Sequence, residues 1–321
     1  MIYTAHQRTR SQLIFLSLFF FLAAHALVAL PRPQDLQGPA LSDSIAELCA
    51  KADSGDSLAM QRLNRYLLRY DSSSPDYAIA VDWLRPRASR DIPDAQFVLG
   101  YLLEHGHGVP KDLAQAAVNY ELAAAHGVAA AQNNLAALYQ GGLGVPRDPQ
   151  KAFELYSSAA RLGYSVSQTN LASMYYTGAA VPRDYALAAK WFRAAAEQGD
   201  SIAQHNLGVL YYQGLGVPRD YAAAAHWEGL AAVHGNPLAQ TDLAYFYETA
   251  AGVPQDYFAA YLWYSRAIAN GELSGTSRRD AIARFLNRKQ RDEGQAVAAA
   301  APSGNSPTTN PSGSLALLPT H

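Results

Sequence analysis

Gly214-Leu215-Gly216-Val217-Pro218-Arg219-Asp220 decides the fold, because the chain repeats nearly the same phrase four more times. It reads Gly-His-Gly-Val-Pro-Lys-Asp at 106–112, Gly-Leu-Gly-Val-Pro-Arg-Asp at 142–148, Gly-Ala-Ala-Val-Pro-Arg-Asp at 178–184 and Ala-Ala-Gly-Val-Pro-Gln-Asp at 250–256. Val109, Val145, Val181, Val217 and Val253 are each 36 residues apart. A fixed period of about 20–50 residues marks a repeat array in which each unit packs on its neighbours.

Outward from the phrase, each unit parses into two helices. A first helix begins near Asp94, Ala130, Val166, Ile202 and Leu238. Its apolar residues, such as Leu99, Leu102 and Leu103 or Leu207, Leu210 and Tyr211, fall three and four apart on one helical face. The phrase stops it, since glycine takes positive φ and proline cannot extend the hydrogen-bond ladder. Asp112, Asp148, Asp184, Asp220 and Asp256 then cap a second helix. That helix carries Ala116, Ala152, Ala188, Ala224 and Ala260, small enough for close helix approach. In the same frame Gly55, Asp91, Gly127, Gly163, Gly199, Gly235 and Gly271 close the units, and Asp200 or Asn236 caps the next first helix.

A degenerate copy precedes the clear five: Leu63, Asp76, Tyr77, Ala80 and Trp83 lie one period before Leu99, Asp112, Leu113, Ala116 and Asn119. The organisation expected is therefore a signal peptide at 1–26, a linker at 27–41 and a capping helix at 42–55 started by Ser42 or Asp43. Six repeats follow over 56–271, with clear copies at 92–127, 128–163, 164–199, 200–235 and 236–271. A second capping helix at 272–294 and a disordered tail at 295–321 complete it. The signal peptide is read from His6, Arg8 and Arg10 before the apolar run Leu13–Ala24 and from the small residues of Ala24-His25-Ala26. It places the protein in the periplasm or outside the cell, a retained N-terminal anchor being the alternative.

Composition narrows the function. The formal net charge of −2 lacks the basic excess that nucleic-acid binding needs. Cys49 is the only cysteine, so no intrachain disulfide forms, and burial on a helix is expected. Gly55-Asp56-Ser57-Leu58 has the look of a hydrolase nucleophile block, but Gly199-Asp200-Ser201 repeats it in phase, which reads as a helix stop and cap. Ser-x-x-Lys, His-Glu-x-x-His and phosphate-cradling loops are absent, and neither His105 and His107 nor His126, His205, His226 and His234 form a ligand set. No cofactor and no metal are expected. Lys111, Arg147, Arg183 and Arg219 run along the turns as a ladder open to an anionic partner, or as a solvated edge balanced by the adjacent aspartates.

The pattern in Ala203-Gln204-His205-Asn206-Leu207-Gly208 through Gly214–Asp220 to Ala224-Ala225-His226-Trp227 closely resembles the Sel1-like repeat, a relative of the tetratricopeptide repeat. The resemblance implies an all-α, right-handed α/α superhelical solenoid whose first helices line a concave groove, and a protein-interaction scaffold rather than an enzyme. On such a groove the exposed trios are Phe97/Tyr101/Glu104, Asn133/Ala137/Gln140, Thr169/Ser173/Tyr176, His205/Val209/Tyr212 and Thr241/Tyr245/Glu248. From them the expected partner-binding residues are Tyr101, Glu104, Asn133, Gln140, Thr169, Ser173, Tyr176, His205, Tyr212, Thr241, Tyr245 and Glu248. The partner expected is a protein segment, in envelope signalling or host contact, with an exopolysaccharide or cell-wall glycan as the alternative. A β-lactam or cell-wall-precursor hydrolase is the least supported reading, since relatives of that kind carry a disulfide in each repeat.

Overall fold

The computed structural model describes residues 44–54, 56–68 and 76–299. The expected signal peptide, linker, most of the tail, Gly55 and the turn of the degenerate repeat lie outside them. All regular structure among the described residues is helical. Two compact units divide these residues, one running through Ala224 and one starting at Ala225.

The first unit opens with α1 (Ile45–Asp53), α2 (Ser57–Leu67) and α3 (Asp76–Ala88). Ser44, two residues beyond Ser42 and one beyond Asp43, caps α1. Its hydroxyl accepts from Glu47 N at 3.2 Å while the Glu47 carboxylate accepts Ser44 N–H at 2.8 Å, a reciprocal capping box. Helix pairs follow as α4 (Pro93–His105) with α5 (Leu113–Ala125), α6 (Ala129–Gly141) with α7 (Pro149–Arg161), and α8 (Ser165–Thr177) with α9 (Tyr185–Ala196). Then come α10 (Ser201–Gln213) and α11 (Tyr221–Val233), the latter carrying the chain into the second unit. The second unit continues with α12 (Pro237–Thr249) and α13 (Tyr257–Ala269). First helices thus start one residue before the positions read from periodicity.

The phrase acts as read, with one addition. Gly106, Gly142, Gly178 and Gly214 all sit near φ +70°, and Ala250 takes the same left-handed conformation in the fifth copy. The aspartates cap as expected: Asp112, Asp148 and Asp184 each accept an N–H three residues on at 2.9–3.0 Å, while Asp220 and Asp256 each accept two. The addition lies at the second glycine. A Cβ on Gly108, Gly144 or Gly216 would fall 2.5, 2.4 or 2.2 Å from the carbonyl carbon of Tyr77, Leu113 or Tyr185. Each turn therefore sits directly on the start of the preceding repeat's second helix.

A glutamine ladder makes the other join. Gln96, Gln132, Gln168, Gln204 and Gln240 each donate Nε2–H to Ala88, Ala124, Ala160, Ala196 or Ala232 O at 3.1–3.3 Å. These acceptors are last-turn carbonyls of the preceding second helix, each of which also accepts the backbone N–H three residues on at 2.9–3.2 Å. Asp91, which stands where every later unit has glycine, holds φ +61° and accepts from Gln96 at 3.0 Å and faces His126 Nε2 at 3.1 Å.

In the first unit one core gathers Leu48, Leu63, Tyr77, Leu102, Tyr120 and Leu135, and a second gathers Tyr156, Leu171 and Met174. Cys49 is buried with them as expected. In the second unit Leu243, Tyr247, Trp263, Tyr264, Ile282 and Leu286 pack together. Ala116, Ala152, Ala188, Ala224 and Ala260 are all fully buried.

The C-terminal cap differs from the single helix expected over 272–294. It comprises α14 (Thr276–Ile282), a 3₁₀ turn (Ala283–Phe285) and α15 (Arg288–Ala299), so helix also extends past the expected start of the tail at 295. The break falls at Leu286, whose backbone is extended, because Asn287 begins a new capping box: Asn287 Oδ1 accepts Gln290 N–H and Gln290 Oε1 accepts Asn287 N–H, both at 3.0 Å.

Candidate functional site

The first helices are buried on nearly every side, and this redistributes the residues expected on an open face. Asn133, Thr169 and His205 are interior, and so are Tyr101 and Glu104. Gln140, Ser173, Tyr176, Tyr212, Thr241, Tyr245 and Glu248 keep partial exposure. Glu104 and Asn133 are held by framework bonds. Glu104 Oε2 accepts Tyr120 O–H at 2.6 Å, and Asn134 donates to the same Tyr120 oxygen at 3.1 Å. Asn133 Oδ1 accepts from Asn170 at 3.1 Å and from Ser167 at 3.0 Å. Burial and the neighbouring Glu104 carboxylate push the Tyr120 phenol well above its ordinary pKa, so it stays protonated and donates.

The motif recurs in phase. Gln140 Oε1 accepts Tyr156 O–H at 3.1 Å, and four repeats after the first copy Glu248 Oε2 accepts Tyr264 O–H at 2.8 Å. There Arg278, at the frame position of Asn134, reaches both Glu248 oxygens at 3.2 Å and lies over the Tyr245 ring at 4.8 Å. Glu104, Gln140 and Glu248 each bond a tyrosine of the second helix and so belong to the framework.

What remains accessible in the first unit gathers where first helices end and second helices begin. Tyr176 meets Tyr185 edge-to-face at 5.2 Å, and one period later Tyr212 meets Tyr221 at 5.4 Å. Sequence reasoning missed Tyr185 and Tyr221, although the variation at that position, with Leu113 and Pro149 in other copies, was visible. The ladder cations flank these pairs. Each β-carbon rests on the first glycine of its phrase, 3.3 Å from a Cβ built on Gly106 for Lys111, and 3.0, 3.4 and 3.1 Å from those on Gly142, Gly178 and Gly214 for Arg147, Arg183 and Arg219. Arg147 Nε donates to Gln140 O at 3.1 Å, Arg219 to Gln213 O at 3.3 Å, and Arg183 to Tyr185 Oη at 3.3 Å.

His105 and His107 join an aromatic cluster. His105 stacks on Tyr101 at 4.1 Å with Nδ1 2.9 Å from Tyr101 O, and His107 lies 5.3 Å from the Tyr77 ring. The buried His107 Nδ1 has no hydrogen-bond partner among the described residues. Burial, then the nearby His105, hold its pKa below the ordinary value. Asp56, of the hydrolase-like block, accepts Leu58 and Ala59 N–H at 2.9 and 3.1 Å, and Asp200 accepts Ile202 and Ala203 N–H at 3.0 and 2.9 Å. Both copies are helix caps.

The Sel1 repeat family model matches residues 93–128, 129–164, 165–200, 201–233 and 237–272, more than half of the chain. The chain belongs to the Sel1 repeat family. Its structure is similar to that of c5321, a protective antigen present in uropathogenic Escherichia coli strains displaying an SLR fold, with 32% identity and a TM-score of 0.68. That match covers 80% of this chain and 56% of the other, so the chain spans little more than half of that relative. A Sel1 repeat protein from Oxalobacter formigenes is similar at 29% identity and a TM-score of 0.61, covering 72% of this chain and 93% of the other. The search of curated proteins returned no match. Sel1 repeat proteins are generally protein-interaction scaffolds, and helix pairs packed as successive repeats are the α-solenoid fold that this family shares. No helix among the described residues is long and apolar enough to cross a membrane.

Proposed function

We propose that this Sel1 repeat chain is a non-enzymatic adaptor, working in the periplasm or outside the cell, that holds a segment of a partner protein against its partly exposed tyrosine positions. The observation that carries the reading is the contrast between two classes of residue. Positions constant in the frame are consumed by caps, glutamine joins and the alanine core. Among the irregular positions that stay accessible in the first unit, Tyr176 and Tyr212 lie against Tyr185 and Tyr221. Tyrosine brings large contact area, one polar handle and few rotatable bonds, which is why it is enriched in binding surfaces. In the second unit, taken by itself, Thr241 and Tyr245 hold the equivalent frame positions and are partly exposed.

Capture of partners from an envelope extract tests the reading. Wild-type chain is expected to retain a protein that the double variant Tyr176→Ala, Tyr212→Ala loses, with both chains equally folded by circular dichroism. Identical captured proteins would sink the adaptor assignment, and loss of glycan binding alone would move it to a polysaccharide-associated role. Export rests on residues 1–26, and N-terminal sequencing of the chain recovered outside the cytoplasm should begin at Leu27. Recovery of an uncleaved chain would contradict it.

A further inference from the structure

The cation ladder of the first unit is free to meet a partner, and the structure says why. Beside each cation stands an aspartate, which the sequence offers as its counter-charge. In the structure those carboxylates face the other way: Asp148, Asp184 and Asp220 accept backbone N–H groups at the starts of α7, α9 and α11. There the helix dipole contributes about half a positive charge per terminus. Arg147, Arg183 and Arg219 pair with no carboxylate among the described residues. Their bonds to Gln140 O, Tyr185 Oη and Gln213 O use one donor each of the five that a guanidinium carries. Helix capping does not explain the charge either. In the second unit the neutral Gln255 stands in the same frame position and caps Glu248 O at 2.9 Å.

We infer that this edge docks an extended acidic peptide segment, whose carboxylates engage Arg147, Arg183 and Arg219 while Tyr176/Tyr185 and Tyr212/Tyr221 pack its side chains. The inference rests on the adaptor reading above and names the chemistry of its partner. Successive turns sit on one another's helix starts, as Gly144 does on Leu113 and Gly216 on Tyr185. Packed helices lie about 8–10 Å apart, so equivalent arginines are spaced on the order of 10 Å. An extended chain rises about 3.3 Å per residue, which places one acidic residue at roughly every third position.

The probe is a fluorescein-labelled nonapeptide with aspartate at its first, fourth and seventh residues, and its binding to the full chain is read by fluorescence anisotropy. The triple variant Arg147→Gln, Arg183→Gln, Arg219→Gln keeps the capping amide that Gln255 demonstrates. Affinity is expected to fall about tenfold in that variant, with an asparagine-substituted peptide, and on raising salt well above 0.15 M. Equal affinity of the triple variant, equal affinity of the asparagine peptide, or binding of polygalacturonate in place of the peptide would each overturn it. The two readings fail separately. If the arginine variant captures the same protein as wild type while the tyrosine variant has lost it, the acidic-partner inference falls and the adaptor stands.

Discussion

At the scale of single residues, Glu104 and Asn133 inside the first helices are bonded to the framework, whereas His107, in the turn after α4, is buried with its Nδ1 unbonded among the described residues. Charging a buried imidazole whose Nδ1 has no partner costs desolvation, which favours the neutral form. Its pKa is depressed in the folded chain from an ordinary value of 6.5. The sign follows. Above about pH 6.5 the group is neutral in folded and unfolded chains, and stability is fully present. As pH falls through that value the unfolded chain takes up a proton that the folded chain refuses, and stability is lost down to the folded pKa. His226, depressed by burial as well, adds a contribution of the same sign. Melting temperature measured from pH 7.5 to 5 should therefore fall, and His107→Phe should flatten the fall without abolishing it. An unchanged slope in the variant would show that His107 charges freely in the folded state. Nothing in the spacing of His105 and His107 foretold this, since period and spacing do not report depth.

At the scale of elements, the seven-residue phrase is both a turn and a joint. Its turning role was legible in the sequence: glycines at positive φ, proline, and an aspartate cap. Its seating on the preceding helix was not, because that depends on backbone proximity between units. The two roles separate experimentally. Gly216→Ala adds a left-handed alanine, at about 1–2 kcal/mol, and a Cβ 2.2 Å from the Tyr185 carbonyl carbon, so a total loss of about 2–5 kcal/mol is expected in urea unfolding. Ala180 already occupies the equivalent place at φ +66°. Ala180→Gly should gain about 0.5–1 kcal/mol, the relief of backbone strain less the added freedom of the unfolded chain. Equal effects of the two substitutions would contradict the joint. The C-terminal cap teaches a related lesson. Asn287 and Gln290 form a capping box that the sequence displays, inside the stretch expected as one capping helix. Phe285 is exposed and stacks on Tyr257 at 4.6 Å.

At the scale of the molecule, period and helix order were readable because one short pattern recurs in a fixed frame. The binding face was readable only in part. The frame separates constant from variable positions, but variable positions divide again into interior and accessible ones, and neighbouring helices decide which is which. Asn133, Thr169 and His205 vary between copies yet lie inside, whereas Tyr185 and Tyr221 belong to second helices and complete the accessible edge. The central claim is that function lies on this edge and not on the outer faces of the second helices. Hydrogen–deuterium exchange of the full chain, with and without its captured partner, tests that claim most directly. The account predicts protection confined in the first unit to the ends of α8 and α10 and the starts of α9 and α11, around Ser173–Leu187 and Val209–Ala223. Protection on the outer faces of α5 and α7, around Val118, Leu122 and Glu154, with none at that edge, would contradict it.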